Sequence, residues 1–239
     1  MKYIMFFVQV ALFGAFLFAS PVSIVFAQEK IGVIVTGIQA DFTMWKRGAL
    51  AVPGTDQAFI KKVESATLLL ARNGFMIYAT QDWHPADHIS FTTSHPGKNP
   101  FDTVQIGDRI QTLWPPHCVQ GTENAKVLLD NSIFLAIVRI GQHPQFDSYS
   151  GFQDGGTNTE MHPILQAAGI RKLIIYGLAT DYCVKATAID AASRGYKVAV
   201  IEGLSKGITS ETTATALNEM RAKGITVLDK IDMTRITAM

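Results

Sequence analysis

Short apolar segments rich in β-branched residues alternate with amphipathic stretches along most of this chain. Residues 30–36 (KIGVIVT) predict a buried strand, and residues 53–74 predict a helix closed by Asn73-Gly74. Further strands are predicted at 75–80, 133–140, 172–177, 197–201 and 225–228, with helices that end near Gly169, Gly195 and Gly224. Repeated strand–helix units predict one α/β domain whose parallel sheet is covered on both faces. A ligand site is expected beyond the carboxyl ends of the strands.

The first 27 residues predict a secretory signal peptide. Lys2 precedes an apolar run over residues 4–19, Pro21 ends it, and Val25-Phe26-Ala27 places small or short residues before Gln28. The alternative is an uncleaved membrane anchor, against which Pro21 and the cleavage-like site argue. We therefore expect export to the periplasm or the exterior, with residues 28–239 as a single domain.

The net charge and the number of cysteines argue against a nucleic-acid-binding protein and against a disulfide-rich one. Lys and Arg number 21 and Asp and Glu number 20, so the net charge of +1 provides no basic surface for nucleic acid. Two cysteines, Cys118 and Cys183, are too few for a disulfide framework. A single disulfide bond between these two cysteines is an alternative that the sequence leaves open, because an oxidising compartment would allow it.

A long stretch without clear periodicity, residues 81–122, contains candidate metal ligands. Asp82 and His84 are two residues apart, so an extended backbone turns both side chains to the same side. His117 follows Pro115-Pro116, which stiffen its approach. Oxygen and nitrogen ligands suit zinc, iron or manganese better than calcium, and three ligands leave room for water or substrate. On spacing alone, ordinary surface or core histidines remain the alternative.

Four segments together resemble the nicotinamidases and pyrazinamidases of the isochorismatase-like cysteine hydrolases. The resemblance is collinear from Lys30 to about Leu228. The segments are Gln81-Asp82-Trp83-His84-Pro85-Ala86-Asp87-His88, Trp114-Pro115-Pro116-His117-Cys118, Asp147-Ser148-Tyr149-Ser150-Gly151-Phe152 and Gly177-Leu178-Ala179-Thr180-Asp181-Tyr182-Cys183-Val184.

The resemblance implies a three-layer fold with a six-stranded parallel sheet and helices on both faces. It implies one divalent ion on Asp82, His84 and His117, with His88 a further ligand in some members. Zinc is the favoured ion, with iron and manganese as alternatives. The implied partner is a small pyridine carboxamide or an analogue whose ring nitrogen faces the metal; association into a homo-oligomer stays open.

The resemblance also implies the remaining site residues. Phe42 and Trp114 match the aromatic residues that stack on the pyridine ring, and Leu178–Ala179 matches a cis peptide bond beside the oxyanion. Cys183 matches the nucleophile. The residues support this independently, because Cys183 precedes a predicted helix over 184–194, whose N-terminus is expected to lower the thiol pKa.

Two positions depart from the family pattern. The catalytic aspartate after the first strand is Gly37, and the lysine that precedes Gly141 is Ile140. Arg139 is no substitute, since neighbouring strand residues face opposite sides. Replacing both members of an ion pair by neutral residues costs far less than removing one. If only the proton shuttle is missing, Gly37→Asp with Ile140→Lys is expected to raise turnover by orders of magnitude.

Three functions follow as hypotheses. The first is a metal-dependent cysteine amidohydrolase that converts nicotinamide to nicotinate and ammonia, with weak, altered or absent activity. The alternative is a catalytically inactive metal-containing protein that binds nicotinamide or another pyridine-like ligand. A third is a redox or structural role for a Cys118–Cys183 bridge.

Overall fold

A computed structural model of the protein describes residues 29–239. The predicted signal segment lies outside the described residues and stays a prediction. Between residues 29 and 239, no helix combines the length and apolar character needed to cross a bilayer.

The chain alternates strands and helices much as the sequence predicts. The elements are β1 (Lys30–Thr36), α1 (Gln57–Arg72), β2 (Met76–Asp82), β3 (Thr103–Ile106), β4 (Arg109–Thr112), β5 (Ala136–Ile140), β6 (Gln153–Asp154), β7 (Thr157–Asn158), α2 (Met161–Ala167), β8 (Ile170–Gly177), α3 (Lys185–Ser193), β9 (Lys197–Ile201), α4 (Ser210–Ala222), β10 (Thr226–Leu228) and α5 (Met233–Thr237). A π-helical turn, Thr180–Val184, leads directly into α3.

Six strands form one parallel sheet in the order β10-β9-β8-β1-β2-β5. Thr36 at the end of β1 pairs with both Thr80 and Gly177, and Asp82 at the end of β2 pairs with Ile140. The carboxyl ends of the four strands β1, β2, β5 and β8 therefore meet at one edge, as expected for a ligand site in a parallel sheet.

Helices cover both faces of the sheet, which confirms the three-layer α/β prediction. On β1, Val33 and Val35 face a core that contains residues of α1 and α5, whereas Ile34 faces a second core built from α2, α3 and α4. This alternation follows from the two-residue period of a strand. Burial on both faces explains why residues 31–35 of β1 are all apolar or glycine rather than alternating with polar residues.

The stretch predicted to lack regular structure contains an antiparallel hairpin, β3–β4. Its strands bury little: of their eight residues only Gln111 is buried, and Ile110 is 75% exposed. Strands are predicted from the alternation of buried apolar and exposed polar residues, and β3 and β4 show almost none of this alternation.

Candidate active site

Asp82, His84 and His117 lie together at the carboxyl end of the sheet. One ligand atom from each lies within 4.8 Å of the others, and all three residues are buried. Asp82 Oδ2 lies 3.7 Å from His84 Nε2, and Asp82 Oδ1 has no hydrogen-bond partner among the described residues. A buried carboxylate oxygen without a partner is costly, so this cluster fits a divalent cation.

Backbone carbonyls hold both imidazoles with one nitrogen directed at the cluster. His84 Nδ1 donates to Gly141 O (3.0 Å), and His117 Nδ1 donates to Pro115 O (2.8 Å). This leaves each Nε2 with its lone pair, which is the usual outer support of metal-binding histidines. Gly141 has φ +69°, and a Cβ there would overlap the His84 ring, so only glycine allows this approach.

The two imidazoles have opposite pKa shifts. Burial, followed by the nearby charge of His84, lowers the pKa of His117 to about 4, so His117 is neutral at pH 7. Burial opposes charging of His84, but the hydrogen bond and charge of Asp82 outweigh it and raise the pKa of His84. The neutral His117 matches the protonation state that a metal ligand requires, whereas a cation bound at this cluster would displace the proton that Asp82 favours on His84.

His88 stands outside the cluster, although its ring is 4.6 Å from that of His84. Its Nδ1 lies 2.7 Å from Ser90 Oγ, and its Nε2 donates to Phe146 O (3.1 Å). Both nitrogens are therefore already hydrogen-bonded, and in this arrangement His88 supports the loops around the cluster.

Cys183 is buried in the π-helical turn that precedes α3, on the same cavity as the cluster. The expected lowering of its pKa is wrong. Burial first, then the charges of Asp82 and Asp147, raise the pKa of Cys183 well above its ordinary value, against a hydrogen bond from the Ala179 backbone. Desolvation of the thiolate outweighs the helix N-terminus here.

Cys118 and Cys183 are both free thiols, so the hypothesis of a bridge between them is wrong for this structure. Cys118 is fully buried with φ 47°, and its N–H donates to Asp41 Oδ2 (2.7 Å). The same Asp41 carboxylate accepts from Asn124 and from the Ala49 backbone. Cys118 therefore belongs to the packing that carries the loop of His117.

A largely apolar cavity of about 400 Å³, including its mouth, opens over the cluster. Phe42 and Trp114 are on its wall, as the resemblance implies, and so is Ala179, whose peptide bond with Leu178 is cis. The lining residues are Phe42, Leu50, Val52, Asp82, His84, Trp114, His117, Asp147, Tyr149, Ala179, Tyr182, Cys183 and Ile208. Such a space suits a small planar ligand with few polar groups.

Asp147 and Tyr149 are cavity residues to which the sequence interpretation gave no role. Asp147 Oδ2 accepts hydrogen bonds from Tyr149 Oη (2.6 Å), Gln111 Nε2 (2.8 Å) and Trp114 Nε1 (3.2 Å). Their signal was present, because both belong to one of the four quoted segments. The bonds to Gln111 and Trp114 span more than 30 residues, which no local pattern predicts.

Gly37 and Ile140, the two positions that the sequence analysis expects to depart from the family pattern, place neutral groups at the ends of β1 and β5. Ile140 is fully buried, while Arg139 is exposed on the other side of β5, with its guanidinium 4.3 Å from the Trp83 ring centre. Gly37 has φ +57°, and a Cβ there would overlap the carbonyl oxygen of Leu178. The backbone at Gly37 is thus closed to the side chain that the restoration Gly37→Asp would introduce.

Comparison with known proteins is consistent with this site. The profile of the Isochorismatase domain family matches residues 32–232. The nicotinamidase of Acinetobacter baylyi is 41% identical over 202 residues, which cover 82% of this chain and 91% of that protein.

Two solved structures share the architecture. The pyrazinamidase of Pyrococcus horikoshii in complex with zinc is 34% identical, with a TM-score of 0.71, over 84% of this chain and 99% of that one. The yeast nicotinamidase bound to the inhibitor nicotinaldehyde is 31% identical, with a TM-score of 0.75, over 84% of this chain and 100% of that one.

Proposed function

This chain belongs to the isochorismatase domain family, and from that premise we propose that it is an amidohydrolase of the nicotinamidase type. Its substrate is nicotinamide or a closely related pyridine carboxamide, and its products are the carboxylate and ammonia. The observation that carries this proposal is that a single cavity brings the Cys183 thiol together with the Asp82, His84 and His117 cluster.

Asp82, His84 and His117 would hold one divalent ion, which we propose is zinc, with iron and manganese as alternatives. The complex of the related pyrazinamidase with zinc supports this choice, as does the mixed oxygen and nitrogen donor set. When bound, the ion supplies an attachment point for the ring nitrogen and positive charge beside the thiol.

The aromatic wall suits a pyridine ring. Trp114 is buried, its indole N–H is held by Asp147 and Tyr149, and its ring meets that of Tyr182 edge-on at 5.0 Å. Phe42 approaches the His117 ring at 5.4 Å between centres. Fixed aromatic rings bind a flat ligand with little loss of side-chain entropy. The related yeast enzyme bound to nicotinaldehyde supports a ligand of this kind.

Cys183 would attack the amide carbon to form a thioester that water then hydrolyses. The turn around the cis Leu178–Ala179 peptide lies beside the thiol, since Val184 and Tyr182 both donate to Ala179 O (3.1 Å). Backbone N–H groups of this turn are the proposed donors to the oxyanion, a role worth about 2.7–4 kcal/mol per donor in a well-studied hydrolase.

A second function is favoured by one specific observation. Gly37 and Ile140 remove both the carboxylate and the ammonium of the family's catalytic residues. A protein with an intact cavity and no proton shuttle would bind nicotinamide or another pyridine-like ligand without turning it over. This binding protein is the alternative proposal.

Measuring ammonia release distinguishes the amidohydrolase from the binding protein. The full mature chain, loaded with zinc, is incubated with nicotinamide, and ammonia is measured beside calorimetric binding. Hydrolysis that a chelator and Cys183→Ala both abolish supports the amidohydrolase. Binding without ammonia, at any of the three metals, supports the binding protein, and neither binding nor ammonia would exclude both.

The metal assignment has its own test. We expect His117→Ala to lose the bound metal in mass-spectrometric metal analysis, whereas His88→Gln retains one ion per chain. The reason is that His117 Nε2 faces the cluster, while both nitrogens of His88 are used in other hydrogen bonds. Loss of metal from His88→Gln in a folded protein would instead place His88 among the ligands.

A further inference from the structure

Thiol-based amide hydrolysis needs a group that takes the thiol proton and later gives a proton to the departing ammonia. Gly37 cannot do this, and Ile140 offers no charge to orient such a group. Among residues 29–239, no lysine or arginine lines the cavity, and only Asp82 and Asp147 bring carboxylates to it.

Asp82 is committed to the metal cluster, where its Oδ2 lies 3.7 Å from His84 Nε2. Two other buried carboxylates, Asp41 and Asp181, lie outside the cavity lining and are occupied. Asp41 accepts from the Cys118 N–H, and Asp181 accepts from the Ile208 N–H at 3.1 Å with each oxygen. The choice therefore falls on Asp147.

The two oxygens of the Asp147 carboxylate differ in how many hydrogen bonds they accept. Its Oδ2 accepts three side-chain hydrogen bonds, whereas its Oδ1 accepts only the N–H of Ser148 (3.1 Å). A carboxylate oxygen offers about two acceptor positions, so Oδ1 retains capacity for a proton. The carboxylate is thus held in place without being saturated.

We propose that Asp147 accepts the proton of the Cys183 thiol and returns it to the leaving ammonia, in place of the carboxylate that Gly37 lacks. This inference rests on the proposed amidohydrolase function. Asp147 and Cys183 lie on the wall of the same cavity. Burial and the charge of Asp82 are the larger causes of the raised pKa of Cys183, and the charge of Asp147 adds to them.

The proton balance closes without another reactant. The S–H proton passes to Asp147 as sulfur bonds to the amide carbon, and Asp147 then protonates the leaving nitrogen as the carbon–nitrogen bond breaks. In the second half, water gives a proton to Asp147 as its oxygen attacks the thioester. The carbon–sulfur bond breaks, and that proton returns to sulfur.

The test is Asp147→Asn in the full, metal-loaded chain, with Gln111→Leu as the matched control. Asp147→Asn keeps the size of the side chain but cannot carry the proton, so we expect kcat for ammonia release to fall 100- to 10,000-fold. Nicotinamide binding should change by no more than about fivefold. Gln111→Leu removes one hydrogen bond to the same carboxylate and should lower kcat by less than about tenfold.

A second measurement tests whether the Asp147 carboxylate lies close enough to Cys183 to exchange a proton with it. Alkylation of Cys183 by iodoacetamide, followed by peptide mass spectrometry against pH, reports the thiolate fraction. Loss of the negative charge in Asp147→Asn should shift the alkylation midpoint to lower pH, although turnover falls. A carboxylate too distant from the thiol to take its proton would leave the midpoint in place.

Several outcomes would overturn the inference. If Asp147→Asn retains kcat within fivefold of wild type, the role of Asp147 is overturned, but the proposed amidohydrolase function is not. A loss of kcat with an unchanged alkylation midpoint, or an equal loss in Gln111→Leu, would make Asp147 structural. Wild-type protein that binds nicotinamide and releases no ammonia would reject the proposed function, and the inference would fall with it.

Discussion

At the scale of single residues, Gly37 occupies a position that the neighbouring backbone keeps free of a side chain. It has φ +57°, a region that favours glycine, and the space where its Cβ would stand is taken by the Leu178 carbonyl oxygen. That carbonyl belongs to the peptide at the end of β8, whose backbone cannot move as a side-chain tip would. The main chain therefore closes this position to a side chain.

We expect Gly37→Ala to lower the free energy of unfolding by about 2–4 kcal/mol, because a positive φ and a backbone overlap both oppose the methyl group. Gly107→Ala is the matched control. Gly107 has φ +60° and open space around it, so its replacement should cost only about 1 kcal/mol. Urea denaturation of both variants measures the difference. Equal losses would show that the Leu178 carbonyl oxygen yields readily.

The same contact decides the outcome of restoring the family residues. Gly37→Asp with Ile140→Lys should be less stable than Ile140→Lys alone and should not regain turnover, since the aspartate cannot enter without displacing Leu178. The sequence pattern predicted a gain of orders of magnitude on the condition that only the proton shuttle is missing. That pattern identifies which residue is absent, but it contains no information on whether the neighbouring backbone has closed over the gap.

At the scale of elements, the π-helical turn Thr180–Val184, which carries Cys183, is held by the loop before α4 and by the first turn of α4. Asp181 accepts from the Ile208 N–H and from the Thr212 hydroxyl, and the Thr180 N–H donates to Lys206 O (2.9 Å). These bonds fix the backbone on which Cys183 stands. The orientation of the thiol therefore depends on residues about 30 positions further along the chain.

Asp181→Ala should loosen this turn, since it leaves the Ile208 N–H without its acceptor, at a cost of about 1–3 kcal/mol. We expect faster amide hydrogen exchange over residues 180–184 and a lower kcat, with metal content unchanged. Thr212→Val removes only one of the bonds and should give a smaller change of the same sign. Unchanged exchange in Asp181→Ala would show that α3 alone holds the turn.

Elements differ in how far the sequence could predict them, and the reason is physical. The strands β1, β2, β8 and β9 are largely buried and β5 and β10 partly so, and their apolar runs identified all six, although several ends differ by a few residues. The candidate metal ligands Asp82 and His84 were also visible, because they share one side of an extended segment. The β3–β4 hairpin, the π-helical form of the turn that carries Cys183 and the Asp147 network depend on distant packing, which periodicity does not record.

At the scale of the whole molecule, buried tyrosines make stability depend on alkaline pH. Burial raises the pKa of Tyr78, Tyr176 and Tyr196 above the ordinary value of 10.0. The unfolded chain releases these protons first as pH rises, so it then binds fewer protons than the folded chain. Stability is therefore fully present below about pH 9 and falls as pH rises through 10.

Urea denaturation between pH 7 and 11 should show this decline, with a slope of up to about 1.4 kcal/mol per pH unit for each buried tyrosine. Tyrosinate absorbance in the same samples should appear together with unfolding rather than before it. Tyr176→Phe is expected to reduce the slope, although it also loses the 2.8 Å hydrogen bond to Thr67. Tyrosinate formation in fully folded protein at pH 10 would contradict the prediction.

Export is the remaining proposal at this scale, and the described fold is compatible with cleavage before Gln28. The sheet begins at Lys30, and Glu29 Oε2 lies 3.1 Å from Lys172 Nζ, which also donates to Thr237 O. A cut at this point leaves intact every strand that lies between residues 29 and 239, and this end of the domain with them. Because signal peptidase requires a small residue just before the cut, Ala27→Tyr should block processing. Expression of the full chain in a bacterial host should yield periplasmic protein whose first residue by mass spectrometry is Gln28. The Ala27→Tyr variant should retain the leader. Wild-type protein that stays in the cytoplasm with its leader attached would contradict export.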